Sequence, residues 1–453
     1  MLGRLLSQLI SFFVVVYLAR VLGPADYGDI SLVLAIVSYF NLLAVFGLPT
    51  IATREVASAK PDLRTKVNLI LSLRVFLSIF SYILVAIYGY FFVASIHLFY
   101  LLLLYSLSMI STSFLLDWFF VGKEDLQAVT LSTVTGNFII AFLTFFLVKN
   151  AGQIYYIPLI TALGLAVTSF LLLFLYLKVQ PLALQFDLTK FYLLMKTSVP
   201  IAATGILSQM YGNVDMILLG YFVGTEEVGY YSVAYKIVVV FAGIIGIYSQ
   251  STWPVMIRLY ATDQKQLSEF LKQNLHTMLY FMIPVITGGT ILAPNIIRDF
   301  FGEVYTPAVV PFILLLYYIF FMALSIMLAN LLLAIKKDKI YFTTLFLGSF
   351  SNLMANLALI PYWRAIGSAM AMVIAELIIL TFLFAKVKPL YYEKWIDHSF
   401  LLIAIGSTGI MGIGLYAMRQ WFCLHVAFLI IMGAMIYLVA SWPFCAKYIR
   451  KAN

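Results

Sequence analysis

Residues 18–29 read LARVLGPADYGD, and the chain says nearly the same thing again at 219–230, LGYFVGTEEVGY. Laid over each other, Leu22-Gly23-Pro24-Ala25-Asp26-Tyr27-Gly28 meets Val223-Gly224-Thr225-Glu226-Glu227-Val228-Gly229 at a constant offset of 201. An apolar run precedes and follows each copy. Each therefore reads as a tight, glycine-bounded turn joining two membrane-length helices, with an acid just before the second glycine. The glycines fit a helix C-cap followed by a sharp re-entry. Each second helix leads to an Arg-bearing polar loop, at Arg54 and at Arg258. The same hairpin is used twice, which predicts two similar helical bundles.

Composition sets the solvent. Hydrophobic residues make up 64% of the chain, charged residues 10%, and the mean hydropathy is +1.03. Soluble domains average about 45–50% apolar and roughly 25% charged; both departures together mean a polytopic membrane protein. A net charge of +9 raises the question of nucleic acid. The basic residues are scattered through short loops rather than gathered in a block, however, and nucleic-acid binding is set aside. Cys423 and Cys445 bracket one apolar run. As a helix it holds them about 33 Å apart, too far to pair.

A spanning helix needs about 20 apolar residues. Fourteen candidates follow, near 3–22, 28–49, 68–93, 97–121, 128–148, 153–177, 198–223, 228–256, 272–294, 306–335, 340–361, 365–386, 399–418 and 424–446. The first begins like a signal peptide, but its counterpart at 201–223 lies mid-chain, so it reads as a retained span. Numbering the loops alternately puts 21 of the 28 basic residues on one side, which predicts cytoplasmic termini in the cell membrane. The polar loop after span four leads into Thr135-Gly136-Asn137, and that after span ten into Phe350-Ser351-Asn352. Spans 1–6 and 7–12 then form parallel repeats about an axis along the membrane normal. The expected fold class is all-α integral membrane: two six-helix bundles around a central cavity plus two C-terminal helices. The expected boundaries are 1–186, 187–390 and 391–453, the link 179–190 carrying Pro181. Segment 258–271 has the charge pattern of an amphipathic helix on the cytoplasmic face. Span 13 carries Gly406, Gly409, Gly412 and Gly414, a small-residue face for close packing.

Enzyme signatures are missing. There is no Gly-rich phosphate loop and no HExxH, and neither a cofactor nor a metal is expected. The histidines (His97, His276, His398, His425) fall near span ends without metal-ligand spacing and read as interfacial. Asp117 and Lys123-Glu124-Asp125 read as a loop that satisfies its own charges. More informative are ionisable groups inside or at the mouths of spans, which cost ~2.5–3.5 kcal/mol each at a helix centre on insertion scales. These are Arg20, Arg54, Arg74, Asp215, Lys236 and Glu376. Arginine and lysine can snorkel to the interface; Asp215, in the polar patch Tyr211-Gly212-Asn213-Val214-Asp215, cannot reach far and reads as lining a cavity. An Asp215–Lys236 pair would instead make both structural. The set is more cationic than anionic, which suits an amphiphilic anion, and the aromatic residues (16%) offer surfaces for sugar rings.

Several stretches resemble the polysaccharide (O-antigen and capsule) flippases of the multidrug/oligosaccharidyl-lipid/polysaccharide exporter superfamily. They are Leu18 to Gly28, Phe46-Gly47-Leu48-Pro49 with Arg54-Glu55, Asn213 to Gly220, and Glu227-Val228-Gly229-Tyr230-Tyr231. The resemblance implies two six-helix lobes rocking around a cavity and no enzyme activity. It implies a polyprenyl-pyrophosphate-linked oligosaccharide as cargo, moved from the inner to the outer leaflet. The family's cavity arginines map to Arg20, Arg54 and Arg74. Asp215, Lys236 and Glu376 are the candidates for the cavity or for coupling to H⁺ or Na⁺, and other polysaccharide-assembly proteins are the candidate partners. Fourteen spans rather than twelve match the lipid-II-flippase branch. The alternatives are a cation-coupled multidrug exporter, which would want an acidic cavity, and a membrane-embedded glycan polymerase, which by family expectation needs a sizeable external loop.

Overall fold

The structure, a computed structural model, describes residues 2–58, 62–388, 398–421 and 425–452. Lys60, Lys394 and Cys423, together with the expected boundary at 390/391, lie outside the described residues, as do the side chains of Arg4, His398, Cys445, Lys447, Arg450 and Lys451. Among the described residues there is no strand. A chain this apolar must satisfy its backbone hydrogen bonds within each segment, and helices do that.

The helices are α1 (Leu2–Val45), α2 (Leu48–Ala57), α3 (Leu63–Phe92), α4 (Ile96–Ser113), α5 (Asp117–Gly122), α6 (Leu126–Leu147) and α7 (Tyr156–Leu177). Then come α8 (Leu188–Phe222), α9 (Thr225–Thr262), α10 (Gln264–Phe301), α11 (Val309–Ala334), α12 (Asp338–Val387), α13 (His398–Trp421) and α14 (Val426–Ala452). Eleven helices among the described residues are long and apolar enough to cross a bilayer, and a shorter apolar one, Val426–Trp442, follows. Two of the eleven are double. α1 is broken at Gly23 (φ 76°, ψ 175°) and α12 at Arg364 (φ 52°, ψ −131°). Gly23 lies in a region essentially reserved for glycine, and Pro24 then opens the next helix where its missing N–H costs nothing. In α12 a Cβ on Gly367 would lie 2.6 Å from the carbonyl oxygen of Leu359, so the chain folds back on itself there. Every one of the fourteen expected spans thus has its helix.

Two compact units result, Met1–Gly229 and Tyr230–Asn453. In the first, α1 packs on α3, α4, α6 and α8, and α7 packs on α4 and α6. The α6–α7 crossing is close, since a Cβ on Gly136 would meet the carbonyl of Gly164 at 2.7 Å and one on Gly164 the carbonyl of Gly136 at 3.0 Å. Small residues bring backbones together where lipid supplies no hydrophobic drive. The opposite face of α6 carries exposed, stacked Phe138, Phe142 and Phe146, a surface made for acyl chains. At one end, Leu48, Ala52 and Val56 of α2 pack on Trp118, Phe119 and Phe120 of α5. The 179–190 link is tied to α3 there, through Arg64 Nε to Pro181 O (3.3 Å) and Gln185 N to Ser72 Oγ (2.8 Å).

In the second unit α10 packs on α11, α13 and α14, α11 on α12, and α13 on α14. Two expectations are corrected here. Segment 258–271 is not a separate surface helix: α9 continues to Thr262, Asp263 caps α10 by accepting from the N–H groups of Lys265 and Gln266, and Leu267 and Leu271 are buried. An N-cap acid ends one pattern and starts another within a stretch whose charge periodicity reads as continuous. The glycines of span 13 do not form one packing face either. A Cβ on Gly412 would touch Ile291 and Thr287 of α10, and one on Gly414 would touch Ile436 of α14, whereas Gly406 and Gly409 have nothing within 4 Å.

Candidate functional site

The repeated turn organises one end of the site. Both first glycines are backbone breaks: Gly23 has φ 76° and Gly224 φ 127°. Both second glycines sit inside the following helix, where they are close-approach positions. A Cβ on Gly28 would lie 1.7 Å from the carbonyl oxygen of Thr225, and one on Gly229 would lie 2.0 Å from that of Pro24. Exchanging each residue for its counterpart at the offset of 201, Gly28 for Gly229 and Thr225 for Pro24, turns the first contact into the second. The two copies of the turn therefore pack against each other reciprocally, backbone on backbone, within the first unit. The expectation that the second glycine helps to make the turn is corrected: it makes room for the other copy.

This contact marks one end of the first unit. Tyr17, before the break, donates its hydroxyl to Val148 O (2.7 Å) at the end of α6. Asp29, after the break, lies 3.3 Å from His97 at the start of α4. Both arms of the hairpin thus return to the same end of the bundle. The opposite end holds α2, where Thr53 Oγ1 reaches Pro49 O (2.9 Å) and Trp118 O (3.3 Å), and Glu55 pairs with Lys66.

The three arginines separate on this frame. Arg20 lies one turn before the break at the first end, and its side chain is exposed. Arg54 lies in α2 at the other end, also exposed. The helix from Pro24 to Val45 lies between them, about 33 Å of rise. Arg74 is 3% exposed, and its Nη1 and Nη2 donate to Leu115 O (2.5 Å) and Thr112 O (2.7 Å). Thr112 O is in the last turn of α4, where it also accepts from Leu115 N (3.1 Å), and Leu115 O is in the link to α5. Acceptors at a helix end have no i+4 donor and take such partners. Asp117 lies close enough to offset the buried charge. Arg74 thus closes a helix end, and the structure brings it together with neither of the other two. Each charged hydrogen bond is worth about 1.5–3 kcal/mol. Arg74→Ala should therefore lower the thermal midpoint of the purified protein and its abundance in the membrane, while Arg54→Ala leaves both unchanged.

The acids are deep. Asp215 is fully buried in α8, near Tyr39 of α1. Tyr39 donates to Gln209 O (3.0 Å), and Asn213 donates to the Gln209 side chain, so the polar patch read in the sequence is a connected strip along the α1–α8 seam. In the second unit Glu376 is 2% exposed and Lys236 is half-buried. His276 is buried and stacks on Phe400, with ring centroids 4.3 Å apart; it is not interfacial.

Residues 1–260 match the family described as polysaccharide biosynthesis protein. A protein of Shigella dysenteriae named "Putative O-antigen transporter" is 22% identical over 391 residues, covering 84% of this chain and 96% of that one. Among solved structures, the lipid II flippase MurJ in an inward closed conformation aligns with a TM-score of 0.80 at 20% identity over 99% of both chains. An inward-facing multidrug resistance MATE family transporter of the MOP superfamily aligns with a TM-score of 0.68 at 13% identity, over 85% of this chain and 95% of that one. These relatives are transporters and a flippase rather than enzymes. With its all-helical membrane fold, its twice-used hairpin and a family match over more than half its length, the chain belongs to the polysaccharide biosynthesis protein family and shares the fold of the multidrug/oligosaccharidyl-lipid/polysaccharide exporter superfamily.

Proposed function

We propose that the chain is a flippase for a polyprenyl-pyrophosphate-linked oligosaccharide, moving it from the inner to the outer leaflet of the cell membrane by alternating access, with both termini cytoplasmic. The observation that carries this reading is the placement of two exposed guanidinium groups, Arg20 and Arg54, at opposite ends of one apolar unit. A planar guanidinium donates in parallel pairs to phosphate oxygens, and a cation in this setting selects an anionic head group. About 33 Å of helix between the two sites is far more than one diphosphate can span. The arginines therefore act in succession: Arg54 loads the head group at the cytoplasmic mouth, and Arg20 receives it near the outer end. Arg74 holds the end of α4 and so positions the wall between them.

One charge crossing a 100 mV potential is worth about 2.3 kcal/mol, so an inside-negative membrane pushes an anionic head group outward without ATP. Asp215 and Glu376, buried in or near the membrane-spanning helices, are the groups through which H⁺ or Na⁺ would couple, with Lys236 setting the local charge. Other polysaccharide-assembly proteins would supply and consume the cargo. A multidrug exporter remains the second reading, favoured by the MATE-like fold and those same buried acids.

Purified protein in liposomes, given a fluorescent polyprenyl-diphosphate oligosaccharide, decides between them. Movement of the glycolipid across the bilayer, without efflux of an organic cation such as ethidium, is the expected result. Cation efflux with a stationary glycolipid would replace the flippase reading with the exporter.

A further inference from the structure

Three groups that the sequence scatters meet at the repeated turn. Ligand atoms of Asp26, Asp29 and His97 all lie within 4.8 Å of one another, and each residue is only partly buried. His97 Nε2 is 3.3 Å from Asp29 Oδ2. Its Nδ1 shares a 2.7 Å hydrogen bond with the hydroxyl of Tyr155, whose ring lies edge-on to the imidazole at 5.3 Å. The Thr225 hydroxyl also hydrogen-bonds Asp29.

We infer that Asp26, Asp29 and His97 form a site for a divalent transition-metal ion of the zinc class. Two carboxylates and one imidazole are a nitrogen–oxygen donor set suited to that class. The imidazole is held as metal-binding imidazoles are, with its remote nitrogen fixed by a partner outside the coordination sphere. When Nδ1 donates to the phenol oxygen, Nε2 turns a lone pair toward Asp29, and two electron-rich atoms 3.3 Å apart call for a cation between them. In the other tautomer Nε2–H satisfies Asp29, and Asp26 still lies beside a second carboxylate whose like charge it feels. Zinc-to-ligand bonds of about 2.0–2.2 Å place ligand atoms roughly 3.3–3.6 Å apart in a tetrahedron. The spacing seen closes to that by small side-chain rotations, leaving the fourth position to water.

The location gives such an ion a consequence. Asp26 and Asp29 lie in the first turns after the Gly23 break, His97 opens α4, and Asp29 is bonded to Thr225 of the other turn copy. One ion would join the first turn to α4 and, through Asp29, brace it against the second. It would hold together the contact that Gly28 and Gly229 permit.

The test needs no transport substrate, so its outcome is independent of the flippase reading. Full-length protein carrying Cys423→Ser and Cys445→Ser, with any purification tag removed, is dialysed against Zn²⁺ and its metal content measured. Co²⁺ absorption reports the donor set. Expected are one ion per chain, a rise in thermal midpoint on binding, and visible Co²⁺ bands of mixed nitrogen–oxygen ligation. Losing even an outer partner typically weakens metal binding by 10–100-fold. Tyr155→Phe should therefore weaken it by about tenfold, and His97→Gln and Asp26→Asn by about a hundredfold or more. Unchanged affinity in the last two variants, or no binding by folded parent protein at about 100 μM Zn²⁺ (a site formed at that level would be worth only about 5.5 kcal/mol), would overturn the site.

Discussion

Arg54→Ala should raise the substrate concentration needed for half-maximal flipping by about 10- to 150-fold, with little change in the maximal rate. The range follows from losing a charge-assisted interaction of about 1.5–3 kcal/mol that is made when the head group loads. Arg20→Ala should do the reverse, leaving loading nearly intact and cutting the maximal rate, because Arg20 lies a helix length away and meets the head group later. A difference of this kind separates a residue used in the ground state from one used only on the way across. Lysine at either position should recover only part of the loss, since an ammonium lacks the paired donors. The measurement is initial flipping rate against glycolipid concentration in proteoliposomes, with membrane content checked for each variant. If both alanine variants shift the same parameter, the two arginines serve one site and the succession is wrong. If neither shifts anything, the head group is read elsewhere.

The spans were legible because the bilayer imposes a length and a composition that survive in a single sequence. The hairpin was legible because the chain writes it twice. What escaped was whatever depends on residues far apart along the chain. Gly28 reads as half of a turn, and only the carbonyl of Thr225 above it reveals a packing position. Arg74 reads as one more intramembrane cation, because nothing in its neighbourhood announces that the carbonyls of Thr112 and Leu115, at and just past the end of α4, arrive beside it. His97 reads as interfacial, near a span end and without metal-ligand spacing around it. Its companions Asp26 and Asp29 come from another span, so local periodicity could not reach them. Segment 258–271 misled for the opposite reason: a continuous charge pattern hid a helix boundary that Asp263 makes with two backbone hydrogen bonds. In each case the deciding partner is a backbone group or a distant side chain.

The paired glycines lead to the second large effect. Alanine at Gly28 would set a carbon 1.7 Å from the oxygen of Thr225, and alanine at Gly229 would set one 2.0 Å from that of Pro24. Both obstacles are main-chain atoms, so no rotamer can relieve the overlap; the two turns must part. Forcing an extra carbon into packed surroundings costs about 1–3 kcal/mol, and each single variant should lose that much in detergent thermal unfolding. The double variant should cost little more than the worse single one, because the first alanine already separates the backbones that the second would strike. Residues sharing one contact are expected to be non-additive in this way. Gly246→Ala is the control, since a Cβ there meets nothing within 4 Å; a helical glycine replaced by alanine in open space should be neutral or slightly stabilising. Flipping should fall in the Gly28 and Gly229 variants together with stability, and Zn²⁺ should restore less of the thermal midpoint than in the parent, because the turns it braces no longer meet. Fully additive losses would mean that the two glycines act in separate places and that the reciprocal contact between the turn copies does not exist.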